Sequence, residues 1–168
     1  MLPVPVFRPT ARIIVADGEG RVLLFAGLAA GGAVRRSWIT PGGGVQAGES
    51  LPQAAARELA EETGHIVSPD SLGPVVATSA GLWQGSRTLF FGADSYFLLR
   101  VPALEIDGSG REDYEHRALA VHRWWTAAEL ETTRDRVNPR GLAGLLRLLL
   151  AGGAAPVRPV RLPWRAGG

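Results

Sequence analysis

Short apolar runs closed off by glycine, proline or charged residues punctuate this chain and predict its strands. Arg12–Ala16 and Arg21–Phe25 are two such runs, joined by Asp17-Gly18-Glu19-Gly20, which is a hairpin signal. Before them, residues 1–9 carry prolines that forbid helix and favour an extended lead-in. Ala26–Ser37 is rich in alanine and glycine and reads as a loop; Trp38-Ile39-Thr40 then forms a short strand. Further on, Val75–Ala80 predicts a strand that Gly81–Ser86 breaks. Arg87–Phe91 and Tyr96–Val101 predict two more, around a Gly92-Ala93-Asp94 turn. Residues 102–113 form a polar loop, and Val121–Trp125 is the last strand expected. Thr126 and Glu129 make a capping box, and Asn138-Pro139 should open the final helix. There Leu142, Leu145, Leu146 and Leu149 recur at helical spacing, so that helix should pack on the sheet rather than offer a groove to a partner.

The stretch from Gly42 to His65 has a different pattern. Pro41–Gly48 holds four glycines, which let backbone approach a ligand closely. A helix follows. Ser50 is a good N-cap, Gln53 completes a capping box, and Pro52 falls in the first turn, where a missing N–H costs nothing. Ala54–Glu62 is nearly all strong helix formers, and Gly64 is placed to end the helix. Glu58, Glu61 and Glu62 stand at i, i+3 and i+4 and share one face. Ala56, Leu59, Ala60 and Thr63 point the other way, toward a core. Ala54 and Ala55 flank the glutamates and should leave room for something bulky.

Three like charges on one face repel, and Arg57 offsets only part of this through an i,i+4 pair with Glu61. A hard divalent ion, Mg²⁺ or Mn²⁺, would offset more. Metal, permissive backbone and helix start together suit a diphosphate.

The spacing G-x5-E-x7-R-E-U-x-E-E-x-G-U, with U apolar, resembles the signature of the Nudix hydrolases. Gly43, Glu49, Arg57, Glu58, Leu59, Glu61, Glu62 and Gly64 fill it. His65 stands where an apolar residue is usual, and Ile66 is expected to take over its packing. The segments W-x-T-P-G-G-G, Y-F-L-L-R and H-R-W-W-T-A-A-E-L also resemble bacterial Nudix domains. The resemblance implies an α/β Nudix fold, an α/β/α sandwich with a mixed β-sheet. It also implies metal-dependent hydrolysis of a pyrophosphate bond in a nucleoside diphosphate derivative. On it, Glu58 and Glu62 are the leading metal ligands, with Glu61 close by and the Gly43 carbonyl as a further ligand. Glu49 and Arg57 would hold the helix and loop in register. Gly42, Gly43 and Gly44 would border the substrate. Arg35 and Arg36 read as part of a solvated loop; in the functional alternative one of them reaches substrate phosphate. A further glutamate ahead of the W-W strand often completes such a site. Here Glu115 is the choice and Glu112 the runner-up. The contrasting hypothesis is a silent nucleotide-binding module acting as a sensor. Such modules usually lose box carboxylates, and this chain keeps every one.

Composition narrows the rest. A chain of 168 residues supports one domain, read here as residues 1–150 with a Gly/Pro/Arg-rich C-terminal arm over 151–168 that the sequence specifies poorly. Cysteine is absent, which excludes thiol chemistry and a disulfide framework. No apolar run reaches membrane-spanning length and no signal peptide is visible, so a cytoplasmic protein is expected. The net charge is +2, and every basic residue other than histidine is arginine. The arginines are scattered, so the high pI is not read as nucleic-acid binding. His65, His116 and His122 lack ligand spacing, and Trp83 is expected to be a half-buried core residue. The expected partner is a nucleotide substrate, with a homodimer left open. Among substrates, a proline pattern of ADP-ribose hydrolases, the family's NADH motif and the coenzyme A pattern are all missing. The preference falls on a (d)NTP or a dinucleotide.

Overall fold

The computed structural model describes residues 4–27, 36–107, 121–152 and 155–164. Its elements are β1 (Val6–Ala16), β2 (Val22–Gly27), β3 (Ser37–Ile39), β4 (Gly42–Gly44), α1 (Leu51–Thr63), β5 (Ala77–Gln84) and β6 (Leu89–Arg100). Then come β7 (His122–Trp125), α2 (Ala127–Thr132), β8 (Arg136–Asn138), α3 (Leu142–Ala151) and β9 (Val160–Arg161). A 3₁₀ turn over Pro69–Leu72 follows α1.

The described strands form one mixed sheet in the order β8-β3-β2-β1-β6-β5-β9, with β4 pairing β1 and β7 pairing β2. β1 is its axis. One edge runs parallel to β6 without a break, from Val6 opposite Phe90 to Ala16 opposite Arg100. The other edge is shared: Ala16 meets Val22 of β2, while Thr10, Ala11 and Arg12 meet Gly44, Gly43 and Gly42 of β4.

Alternation along β1 sends its side chains into two cores. Ala11, Ile13 and Val15 join Ala54, Ala55, Ala56 and Leu59 of α1. Ile14 and Ala16 join Leu142, Leu145, Leu146 and Leu149 of α3, with Trp38 and Trp125 edge to face at 5.2 Å. Helices therefore cover both faces, as an α/β/α sandwich requires. No helix among the described residues is long and apolar enough to cross a membrane.

Several expectations are corrected here. Gly92-Ala93-Asp94 is not a turn, and Gly81 does not break β5. β6 is one strand, paired to β1 on one side and to β5 on the other, so neighbours on both sides satisfy its backbone. Asp94 is buried there and accepts from the Thr10 hydroxyl at 2.6 Å. Part of the glycine loop, Gly42–Gly44, is a strand on β1. Asn138 ends β8, which runs parallel to β3, and the last helix starts only at Leu142. Ile66 is 84 % exposed, and Val67 packs against the α1-side core instead. Ala54 and Ala55 are fully buried against that core, so they leave no space beside the glutamates. Trp83, by contrast, is half-buried as expected, stacked on Phe90 at 4.3 Å. The described part of the C-terminal arm is ordered along β5.

Candidate active site

The site begins with the ends of α1. The Ser50 side chain accepts from the Gln53 N–H, and the Gln53 side chain accepts from the Ser50 N–H at 2.8 Å. Gly64 closes the other end at φ 74°, its N–H donating to Ala60 O. These caps fix the helix register, and the register fixes the carboxylates.

Glu58 and Glu62, one turn apart, are both buried, at 7 % and 4 % exposure. They face β4. The Gly42 N–H donates to Glu62 Oε2 at 2.8 Å. The Glu58 carboxylate lies directly over Gly43, where a built Cβ would sit 2.5 Å from Oε1. Gly42 itself has φ 124° and would place a Cβ 2.3 Å from Ala11 O. Both glycines are needed: one to lay β4 against β1, the other to admit Glu58.

Arg57 ties this face together. Its guanidinium donates to both oxygens of Glu49 at 2.8 and 3.0 Å and to Gly44 O at 3.0 Å. It also donates to Glu58 Oε1 at 2.8 Å and to Glu61 Oε2 at 3.2 Å. The Glu49 hydrogen bonds, ahead of the opposing burial, hold Arg57 firmly protonated. In return Arg57 holds Glu49 below the usual carboxylate range; burial opposes this, and the Gln46 N–H adds to it.

The structure thus brings Glu49, Arg57, Glu58, Glu61, Glu62, Gly42, Gly43 and Gly44 into one patch, though not equally. Glu61 is half-exposed and turned to Arg57. Among the described residues no three carboxylate or imidazole groups converge closely enough to cage a metal ion. The helix start, expected beside the diphosphate, is closed by its own capping box. Arg36 lies ahead of β3 with an exposed side chain, its carbonyl accepting from the Arg136 N–H at 3.0 Å. Arg35, Glu112, Glu115 and His116 lie outside the described residues.

One residue of this patch was not foreseen. Arg12, on β1, is buried and donates through Nη1 to Thr40 O at 3.0 Å and Gly42 O at 3.2 Å. It braces β4 from the α3 side while Glu62 holds it from the α1 side. A lone arginine at the head of an apolar strand run was the available signal.

Comparison with known proteins agrees with this geometry. The NUDIX domain profile matches residues 6–146. An RNA pyrophosphohydrolase of Caulobacter vibrioides is 32% identical over 173 residues, covering 94% of this chain and 93% of its own. A putative 8-oxo-dGTP diphosphatase 2 of Mycobacterium tuberculosis is 37% identical over 120 residues, covering 71% and 75%. Among solved structures, the MutT protein of Methanosarcina mazei Go1 superposes with a TM-score of 0.61 at 16% identity, over 88% of this chain and 95% of its own. Box, sheet and profile agree: the chain belongs to the NUDIX domain family of hydrolases, which act on phosphoric anhydride bonds.

Proposed function

We propose that this chain hydrolyses the pyrophosphate bond of a nucleotide with a divalent cation, Mg²⁺ or in its place Mn²⁺, held at the Glu58–Glu62 strip. The observation that carries this is electrostatic. Glu49, Glu58 and Glu61 gather around one guanidinium, Glu62 stands one turn from Glu58, and both Glu58 and Glu62 are buried. Buried carboxylates are costly without a compensating charge. Hard carboxylate oxygens beside a backbone strand fit a small divalent ion that keeps several waters.

Glu58 and Glu62 would hold the ion, with Glu61 and the Gly43 carbonyl as further ligands. When bound, it neutralises charge on the phosphate oxygens. Arg57 and Glu49 keep α1 locked to β4, so the two carboxylates stay aligned. The glycine strand lets a polyphosphate lie close to the backbone, with Arg35 or Arg36 available to its outer phosphate. Glu115, with Glu112 as runner-up, takes the proton from the attacking water. Residues 1–150 make up the catalytic domain.

A free (d)NTP or a dinucleotide is the first substrate reading. The pyrophosphate group of an RNA is the second, favoured by a relative of that name aligned over more than nine-tenths of both chains. The test is a substrate panel with Mg²⁺: (d)NTPs, dinucleoside polyphosphates and 5′-triphosphorylated RNA, reading released phosphate or pyrophosphate. Release that stops in excess EDTA and returns with Mg²⁺ is expected. Undiminished release in EDTA, or none from any substrate, overturns the proposal. Glu115→Gln should slow turnover more than Glu112→Gln at saturating Mg²⁺; equal parental rates would remove that loop from the chemistry.

A further inference from the structure

Residues 155–164 lie beyond the NUDIX domain match, which ends at residue 146. They run along β5 on the α3 side of the sheet, where Val160 and Leu162 pack against that core. The Val160 N–H donates to Val76 O at 2.9 Å, and the Leu162 N–H to Thr78 O at 2.8 Å. The chain then lays the Trp164 indole on Gly81 and Gly92, which face each other across β5 and β6. A Cβ on Gly81 would sit 2.4 Å from that ring, and one on Gly92 2.5 Å. Two adjoining strands thus lack side chains where the ring rests. The Trp164 Nε1–H also donates to Leu82 O at 3.2 Å. No residue of 155–164 is fully buried, so little apolar burial fastens this strap.

Beneath it is a polar compartment. Pro163 closes a cavity lined by Arg12, Ser79, Asp94, Tyr96 and Asn138, with about 10 Å³ of free space. That is room for a single water. Arg12 Nε, in the cavity wall, is buried with no hydrogen-bond partner, as is Oγ1 of Thr40, the residue whose carbonyl Arg12 holds. Unspent donors and acceptors in a buried place are costly, and a polar ligand group would use them. The compartment adjoins the carboxylate strip through one residue. Gly42 O accepts from Arg12 at 3.2 Å, and the Gly42 N–H donates to Glu62 at 2.8 Å.

We propose that residues 160–164 are an internal cap over this compartment, displaced when a nucleotide binds, and that Pro163 and Trp164 set how wide a group enters. This rests on the nucleotide reading above. A carboxylate beside a guanidinium, two hydroxyls and an amide suits an uncharged polar group and disfavours phosphate. The part of the nucleotide remote from the phosphates is therefore what competes with the strap.

The experiment measures affinity for α,β-methylene-ATP with Mg²⁺ by calorimetry. It compares the full chain, a chain ending at residue 158, and two full-length variants, Gly92→Ala and Trp164→Ala. Gly92→Ala pushes the ring off without shortening the chain. If the cap is closed about nine-tenths of the time, each of the three should bind roughly tenfold more tightly than the parent. Adding Gly92→Ala to Trp164→Ala should change nothing further, because the ring it displaces is gone. Where the shortened chain melts before the assay temperature, the two point variants carry the test. Equal affinity across the set overturns the cap and leaves the nucleotide reading standing. Weaker binding by Trp164→Ala also overturns it, since the ring then contacts the ligand rather than blocking it. No binding by any form overturns both readings.

Discussion

A Cβ on Gly43 would sit 2.5 Å from Glu58 Oε1, whereas one on Gly44 meets nothing within 4 Å. Adjacent glycines in one short strand therefore differ in what they tolerate. Gly43→Ala has to turn the Glu58 carboxylate out of its place, and Gly44→Ala leaves it alone. We expect Gly43→Ala to lower kcat at least about tenfold, short of the ~10²-fold lost with a whole stabilising group. Gly44→Ala, which leaves Glu58 where it is, should lose less kcat than Gly43→Ala. Identical kcat values for the pair would show that the orientation of Glu58 is immaterial. Glu62 is a sharper case. Gln is nearly as good a helix former as Glu and can still accept from the Gly42 N–H. Glu62→Gln should therefore melt like the parent yet turn over at least ~10²-fold more slowly. A near-parental rate in a folded variant would remove Glu62 from the ligand set.

Helix α1 is joined to the segment before it by the Glu49–Arg57 pair, a bidentate contact at 2.8 and 3.0 Å. The pair makes stability depend on pH in a definite direction. The folded state holds Glu49 below its ordinary carboxylate range. A depressed folded value stabilises fully above the unfolded pKa of about 4.3 and is lost as pH falls through the folded value. The Tm gap between the parent and Glu49→Gln should thus be constant from neutral pH to about pH 5 and close below about pH 4. A gap that stays constant well into acid would mean the contact is not ionic. Strand β6 shows the opposite dependence on context. Its Gly92-Ala93-Asp94 segment has turn composition, but pairing with β1 and β5 outweighs local preference.

On the scale of the whole molecule, the proposed cation site would couple ion binding to the fold. The patch exists only when α1 and β4 are in place, so an ion held there should stabilise the folded chain by mass action. Mn²⁺ should raise the parental Tm by roughly 5–10 °C at about a hundred times its Kd. The double variant Glu58→Gln/Glu62→Gln should show no such rise. An equal rise in both proteins would place the ion elsewhere.

What the sequence determined by itself was whatever depends on neighbours within about one helical turn. The cap at Ser50, the glycine stop at 64, the grouping of Glu58, Glu61 and Glu62, and the leucine stripe of α3 are set by spacing alone. The Asp17–Gly20 hairpin belongs with them. So does the family, because its box is one continuous segment. Tertiary structure decided the remainder. Asp94 finds its Thr10 partner 84 residues away, and Trp164 finds Leu82 across 82 residues. No local pattern shows that Gly81 and Gly92 face one another, that Arg12 reaches Gly42, or that Val67 rather than Ile66 turns inward. A backbone hydrogen bond within a helix is specified by its own residues; one across a sheet is specified by whichever strand folding brings alongside. That is why the carboxylates were legible before the fold was known, while the glycine strand that receives them and the strap behind it were not.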